Sequence, residues 1–342
     1  MVDRRGAPFE SERPEAVMLD LDRLRRIHLS RRPLGQRLVA NFALRLDYRL
    51  PRPTEIVLEG VENLPADRGV FLAMNHTDRY NYWPLQYEFW RRGLRFTATW
   101  VKGKYYENPV MARFLDATNN IPLPSRGYVI AVEFRKAIGR APGDDEYRFL
   151  RDLVDRRRSA DESLPRGASS ELQRFVGGDA GALLERFDRI FDAMLLEVIR
   201  LNREALEVHE LNVLVFPEGT RGRQLGRGHT GLAQMAQHLR RAIVPIGCSG
   251  SDRIYPGNSP FSQGGRVVYR IGAPLEIDGP ELGRFKVPEE VVPLTRAASE
   301  RFGGRYEGIT AVVMGKIAEL VDPEYRPGDG EGGAERGVER FL

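Results

Sequence analysis

A chain of 342 residues with 42% hydrophobic and 29% charged side chains has the size and balance of a folded globular protein with a substantial core. Its 52 Lys and Arg against 48 Asp and Glu leave a net charge of only +4, which says little about partners, and the single cysteine, Cys248, excludes an internal disulfide framework and any multi-cysteine metal site. No apolar run approaches the ~20 residues of a membrane span and the N-terminus lacks a signal-peptide core, so the expected location is cytoplasmic, with any lipid handled from the inner face of the membrane.

Residues 1–50 read as a basic amphipathic helical arm. Its first 14 residues are polar, and the helical pattern runs from Glu15 to Tyr48 with a break near Arg32-Pro33. The first part places Val17, Leu21, Leu24 and Ile27 on one face, with His28 falling on the same side. The second carries Leu34, Leu38, Phe42 and Leu46 at a clean spacing of four. Between Leu21 and Leu50 stand Arg23, Arg25, Arg26, Arg31, Arg32, Arg37, Arg45 and Arg49 against Asp22 and Asp47. Arginine beside an apolar stripe suits the headgroup level of an anionic bilayer. It suits equally a helix pair packed on the core with its basic face in water, and the pattern does not choose between them.

Residues 51–325 read as one α/β domain. Ile56 to Met74 gives two strands around the turn Asn63 to Asp67, and Tyr82 to Arg92 a helix with Pro84 in its first turn. Phe96 to Val101 reads as a strand, Asn108 to Leu115 as a short helix, and Asn120 to Leu123 as a strand compromised by Pro122 and Pro124. An inserted segment occupies about 127–210. Its stretch from Ala141 to Ala180, dense in charge, Gly and Ser, reads as a partly ordered or mobile insertion. Leu183 to Leu206 is a helix whose broad apolar face is a core or subunit contact. Helix Leu232 to Arg241, strands Ile243 to Gly247 and Arg266 to Ile271, and helix Ala311 to Leu320 follow, and residues 326–342 read as a disordered tail. Strands alternating with helices predict a mostly parallel central sheet flanked by helices, preceded by the helical arm.

Two strand ends carry chemistry. Asn75-His76 follows the apolar run Val70 to Met74, and Phe216-Pro217-Glu218-Gly219-Thr220-Arg221 follows Leu211 to Val215. A histidine at a strand end can serve as a base, and a Glu-Gly-Thr-Arg turn offers a cation, backbone amides and a hydroxyl. Together they describe a site that deprotonates a hydroxyl while holding an anionic substrate.

These residues resemble the glycerolipid (lysophospholipid) acyltransferase family, whose first motif is Asn-His-x4-Asp and whose third is Phe-Pro-Glu-Gly-Thr-Arg. Ile56 to Pro65 looks like the family's first strand and turn, and Gly231-Leu232-Ala233 with Ile243 to Ile246 like its later helix and fourth motif. Fainter, Lys102-Gly103-Lys104 followed by Ser125-Arg126-Gly127 resembles the elements around the acceptor phosphate. The resemblance runs from about Glu55 to Pro274 and implies an acyltransferase-like fold.

It implies further that His76 is the base activating an acceptor hydroxyl, which attacks an acyl-CoA or acyl-carrier-protein thioester directly. Glu218, Gly219, Thr220 and Arg221, with Arg126 as a second cation, would then hold a lysophospholipid-like acceptor such as 1-acylglycerol 3-phosphate at an anionic membrane surface. One position departs from the family pattern. Where the first motif calls for an acid five residues after His76 stands Asn81. Three readings follow: Asp78 supplies the carboxylate, Asn81 orients His76 without a charge, or the chain binds lipid without transferring acyl groups. No cofactor or metal is implied, there is no Gly-rich nucleotide loop, and the basic helices do not require a nucleic-acid partner.

Overall fold

The computed structural model describes residues 18–161, 164–288 and 291–328. Expectations for residues 1–17 and for 329–342 of the tail lie outside them. Seven strands form one sheet: β1 (Thr54–Glu59), β2 (Phe71–Met74), β3 (Thr97–Lys102), β4 (Asn120–Leu123), β5 (Asn212–Val215), β6 (Ile243–Ser249) and β7 (Gly265–Ile271). Their spatial order is β1-β7-β6-β2-β5-β3-β4, and only the β6–β7 pair is antiparallel.

The central strands are buried on both faces, which is why β2 and, after Asn212, β5 read as apolar runs. Side chains still alternate between two cores. Phe71 and Ala73 join one, and Val70, Leu72 and Met74 the other. Pro122 is tolerated because β4 is an edge strand.

The arm comprises α1 (Leu21–Arg25), α2 (Leu34–Leu38), a π-helical segment (Val39–Leu44) and α3 (Arg45–Asp47). Its two halves lie on opposite faces of the sheet. Leu19, Leu24, Ile27 and Leu29 enter the Phe71 core, whereas Ala40, Leu44 and Tyr48 enter the Leu72 core. The chain crosses between them at the β4 edge, where Asn119 exchanges hydrogen bonds with the backbone of Ser30 (3.0 and 2.7 Å). Gln36 then donates to the carbonyls of Thr97 and Thr118 (2.6 and 2.8 Å).

Helix α4 (Trp83–Arg91) and α5 (Pro109–Ala117) fall where the pattern places them. Asn108 caps α5 by accepting from the Val110 and Met111 amides, and Pro109 starts it where its missing N–H costs nothing. The insertion departs from expectation. It contains α6 (Arg126–Ile138), α7 (Asp144–Val154), α8 (Ser170–Val176) and α9 (Ala180–Arg203), so the stretch read as partly ordered or mobile forms two packed helices among the described residues.

The charge that suggested looseness is spent within the insertion. Glu146 accepts from Arg140, the Gly143 amide and the Ser169 hydroxyl, and Arg140 beside it holds its carboxyl down at about 2. Behind these charges Phe149, Leu150, Leu153, Leu172 and Phe175 are buried. The apolar face of α9 is core, with Leu183, Phe187, Met194 and Val198 buried.

The chain closes with α10 (Gly231–Leu239), α11 (Ser251–Ile254) and α12 (Arg296–Leu320). Helix α12 begins well before the Ala311 expected for it. Its backbone kinks at Phe302, just before Gly303-Gly304, which breaks the periodicity that would have revealed its first half.

Candidate active site

Strand β2 lies between β6 and β5, and the chain leaving its carboxyl end is fixed from both sides. Asn75 pairs across to β6 through its side chain: its amide donates to the Cys248 carbonyl (2.9 Å) and its oxygen accepts from the Cys248 amide (2.7 Å). On the β5 side, the His76 amide donates to Glu218 Oε2 (2.7 Å) and the Gly222 amide donates to the His76 carbonyl (2.9 Å). His76 and the Phe216–Arg221 motif, distant in sequence, are one structural unit.

The imidazole is held by its ring plane and one nitrogen. Phe216 stacks on it with centroids 4.0 Å apart, and Nδ1 lies 3.2 Å from Asn81 Oδ1. Asn81 is fully buried, and its amide nitrogen donates to the Asn75 carbonyl (2.8 Å) while the Tyr269 hydroxyl donates to its own carbonyl (2.6 Å). Because the amide group is committed to Asn75, it is the oxygen that faces the ring. The ring therefore carries its proton on Nδ1 and leaves Nε2 as the basic nitrogen. Burial pushes the His76 pKa down to about 4, with the charges of Arg221 and Lys102 adding to the shift and the Asn81 bond opposing it. At neutral pH the imidazole is uncharged.

Asp78 is placed elsewhere. It accepts from the Thr77 hydroxyl (3.0 Å) and the Tyr80 amide (2.8 Å), closing the turn that leads to α4, and burial pushes its carboxyl up. Of the two residues left open as partners of the ring, it is Asn81 that lies against Nδ1. The geometric reason is the turn itself, which aims the Asp78 carboxylate back at its own loop.

Glu218, expected among the residues around the acceptor, is engaged with the backbone. Both its oxygens accept backbone N–H groups, from His76 and from Gly226 (2.8 Å), so it clamps the loop after the third motif against the end of β2. Gly219 has φ +64°, and a β-carbon there would stand 3.0 Å from the His229 ring, so the turn needs glycine twice over. Gly219, Thr220 and Arg221 are exposed at the mouth of the site.

Arg126 opens α6 and turns to the insertion. Its guanidinium approaches the Val154 carbonyl (3.4 Å) and Asp188 (3.5 Å) and lies 4.9 Å from the Phe191 ring centroid. The cation that joins Arg221 in acting on His76 is Lys102, at the carboxyl end of β3. In the sequence it was only the first residue of a faint motif. The signal that singles it out is positional: β3 neighbours β5, and ligands in such sheets gather at the carboxyl ends of adjacent strands. Phe216 was likewise read as part of a strand end rather than as the ring supporting His76.

Among the described residues no group of three or more His, Cys, Asp or Glu side chains is placed to hold a metal, and no helix is long and apolar enough to cross a membrane. The Acyltransferase family model matches residues 187–249, a window that contains the third motif and β6 but not His76. No curated protein matches the chain. Among solved structures, the 1-acyl-sn-glycerophosphate (LPA) acyltransferase PlsC from Thermotoga maritima is similar at 17% identity and a TM-score of 0.45, covering 83% of this chain and 79% of that one, a likeness too distant to carry function. The family-model match takes in the third motif, which the fold ties to His76, and supports an acyltransferase.

Proposed function

We propose that the chain transfers a fatty acyl group from a thioester, acyl-CoA or acyl-carrier protein, to a hydroxyl of a lysophospholipid-like acceptor, with 1-acylglycerol 3-phosphate the first to test. The observation that carries this reading is the neutral His76, oriented by Asn81 and backed by Phe216, beside the exposed Arg221 and Lys102. His76 Nε2 takes the proton of the acceptor hydroxyl as its oxygen attacks the thioester carbonyl. The tetrahedral intermediate then expels the thiolate, and the proton on Nε2 passes to the sulfur, which returns His76 to its neutral form. Arg221 and Lys102 are the cations for the acceptor phosphate, and Glu218 ties the loop that carries Arg221 to the base. Arg126, in contact with Asp188 and Phe191, is read here as a pin for the insertion rather than a phosphate ligand.

Beyond the burial that dominates the shift, the same two cations that hold the acceptor phosphate depress His76 further in the free protein. A bound phosphate offsets them, so the base strengthens when substrate arrives. Protonated His76 cannot act as base, so rate falls as pH drops through its pKa. The acid limb of kcat/KM should lie near 4 and that of kcat higher; coincident limbs would dissociate the phosphate from Arg221 and Lys102.

A second reading, a lipid-binding protein without turnover, is favoured by one observation: Asn81 brings no charge to the imidazolium that transfer requires. Thioester consumption with long-chain acyl-CoA and lysophosphatidic acid separates the two. Acceptor-dependent thiol release that is lost in His76→Ala establishes the enzyme, with a fall of about 10²–10⁴-fold expected for removal of a general base. Asn81→Asp restores the charge but sets a carboxylate oxygen against the Asn75 carbonyl. That variant should therefore melt at lower temperature whether or not it turns over faster.

A further inference from the structure

Between α12 and the tail lies Val321-Asp322-Pro323-Glu324-Tyr325, too short for a periodic pattern to reveal it as an element. Pro323–Tyr325 forms a 3-10 turn, and the run around it is fastened to the sheet. Arg270 of β7 donates to the Leu320 carbonyl (3.1 Å) and to Asp322 (2.8 Å), and the Asp322 amide donates to Ser249 Oγ at the end of β6 (3.0 Å). Buried Tyr325 closes on the turn after β6, where its hydroxyl donates to Asp252 (2.6 Å) and accepts from the Gly250 amide (3.1 Å).

On its other side the segment meets the loop that follows the third motif. The Tyr325 carbonyl accepts from the Leu225 amide (2.9 Å), and Glu324 accepts from Arg223 (2.7 Å) as well as from Arg253. One short run therefore joins the loops after β5 and β6, and β2, which delivers His76, lies between those two strands. Fastening α12 to the sheet would require only Arg270, Ser249 and the buried Tyr325 ring. The bonds to Leu225 and Arg223 go beyond that.

The loop needs such ties. Residues 222–228 include Gly222, Gly226 and Gly228, and glycine-rich backbone loses the most freedom when it is ordered. Two anchors come from the site itself, Gly222 on the His76 carbonyl and Gly226 on Glu218. The other two, Leu225 on Tyr325 and Arg223 on Glu324, come from the distant segment. The pairing also sorts the loop's cations. Arg223 faces Glu324 and approaches Asp252 (3.9 Å), and Arg227 approaches Glu307 (4.0 Å). Arg253 and Arg223 hold the Glu324 carboxyl below its ordinary range, so it stays charged. Arg221, at the root of the loop, is the loop cation whose field reaches His76.

We propose that Asp322 to Tyr325 form a strap that positions the acceptor loop, with Glu324 and Tyr325 as the positioning residues that hold Arg221 beside His76 before the acceptor phosphate arrives. A cation fixed in advance leaves less ordering to be done on binding, so the strap acts on capture of a phosphate-bearing acceptor. Both residues act through the loop backbone and Arg223 rather than on the reacting atoms.

The proposal rests on the reading above in taking the acceptor to carry a phosphate, and its first readout needs no turnover. Hydrogen exchange is followed on the full chain and on Glu324→Gln, whose side chain lies at the surface and whose melting temperature should match the wild type. The Gly222 and Leu225 amides should exchange about tenfold faster in the variant. With acyl-CoA and lysophosphatidic acid, KM for the acceptor should rise about three- to tenfold while KM for acyl-CoA holds. A monoacylglycerol acceptor, which lacks the phosphate, should show less of the rise. Tyr325→Phe, which keeps the ring and removes the hydroxyl, should act in the same direction. Adding Arg223→Gln to Glu324→Gln should change little further, because the pair acts as a unit.

Unchanged exchange at Gly222 and Leu225 overturns the proposal, and so does a looser loop with an unaltered acceptor KM. A further rise of similar size from Arg223→Gln makes Arg223 a phosphate contact in its own right and also overturns it. A wild type that consumes no thioester defeats the enzymatic reading instead. Equilibrium binding of lysophosphatidic acid then replaces KM: weaker binding in Glu324→Gln sustains the strap, and equal binding or none removes it.

Discussion

Leu24 and Ile27 in the first half of the arm are fully packed, while Leu34, Leu38, Phe42 and Leu46 in the second stand in solvent, although both halves combine leucines with arginines in similar proportion. What differs is the opposing surface. The first half lies against α9, whose own apolar face needs cover, and its arginines find acids nearby: Arg25 approaches Glu197 on α9, and Arg23 pairs with Asp116 on α5. The second half meets the sheet with one row, Gln36, Ala40, Leu44 and Tyr48, and turns Leu34, Leu38, Phe42 and Leu46 away. Amphipathicity reports that a helix has two faces. It does not report which face the rest of the protein has room for.

Stability measurements sharpen that contrast, taken from the largest effect to the smallest. Leu24→Ala opens a cavity in the packed half and should cost about 2–5 kcal/mol in denaturant unfolding. Gln36→Ala removes the donor shared by the Thr97 and Thr118 carbonyls and should cost about 1–3 kcal/mol, the tie that keeps the second half on the sheet. Phe42→Ser and Leu46→Ser, on the exposed row of the second half, should fall within about 0.5 kcal/mol of the wild type. Either variant destabilising as strongly as Leu24→Ala would erase the distinction between the halves.

A comparable division runs through the active site. The motif residues His76 and Phe216 to Arg221 were legible because their order and types are unusual, and the fold indeed ties them together through Glu218 and Gly222. The helix-forming patterns of α4, α5 and α9 were legible because each buries one stripe. Lys102 was not, since its approach to His76 depends on β5 lying between β2 and β3. The order of α7 and α8 was hidden by charges that neutralise one another only once Arg140, Glu146 and Ser169 are brought together.

Sequence alone determined most of the elements, the mostly parallel sheet and the pairing of His76 with the third motif as candidate site, because apolar periodicity and strand-end motifs are local properties that survive any packing. Only the tertiary structure decided that Asn81 rather than Asp78 holds the imidazole, for an amide oriented by a backbone carbonyl has no trace in the order of residues. It also decided that a spacing of four in the arm becomes an exposed ridge, because that outcome needs both a π-helical turn and an opposing surface already occupied by the alternate row. Local pattern fixes what a segment can bury, and the remainder of the fold fixes which side it does bury.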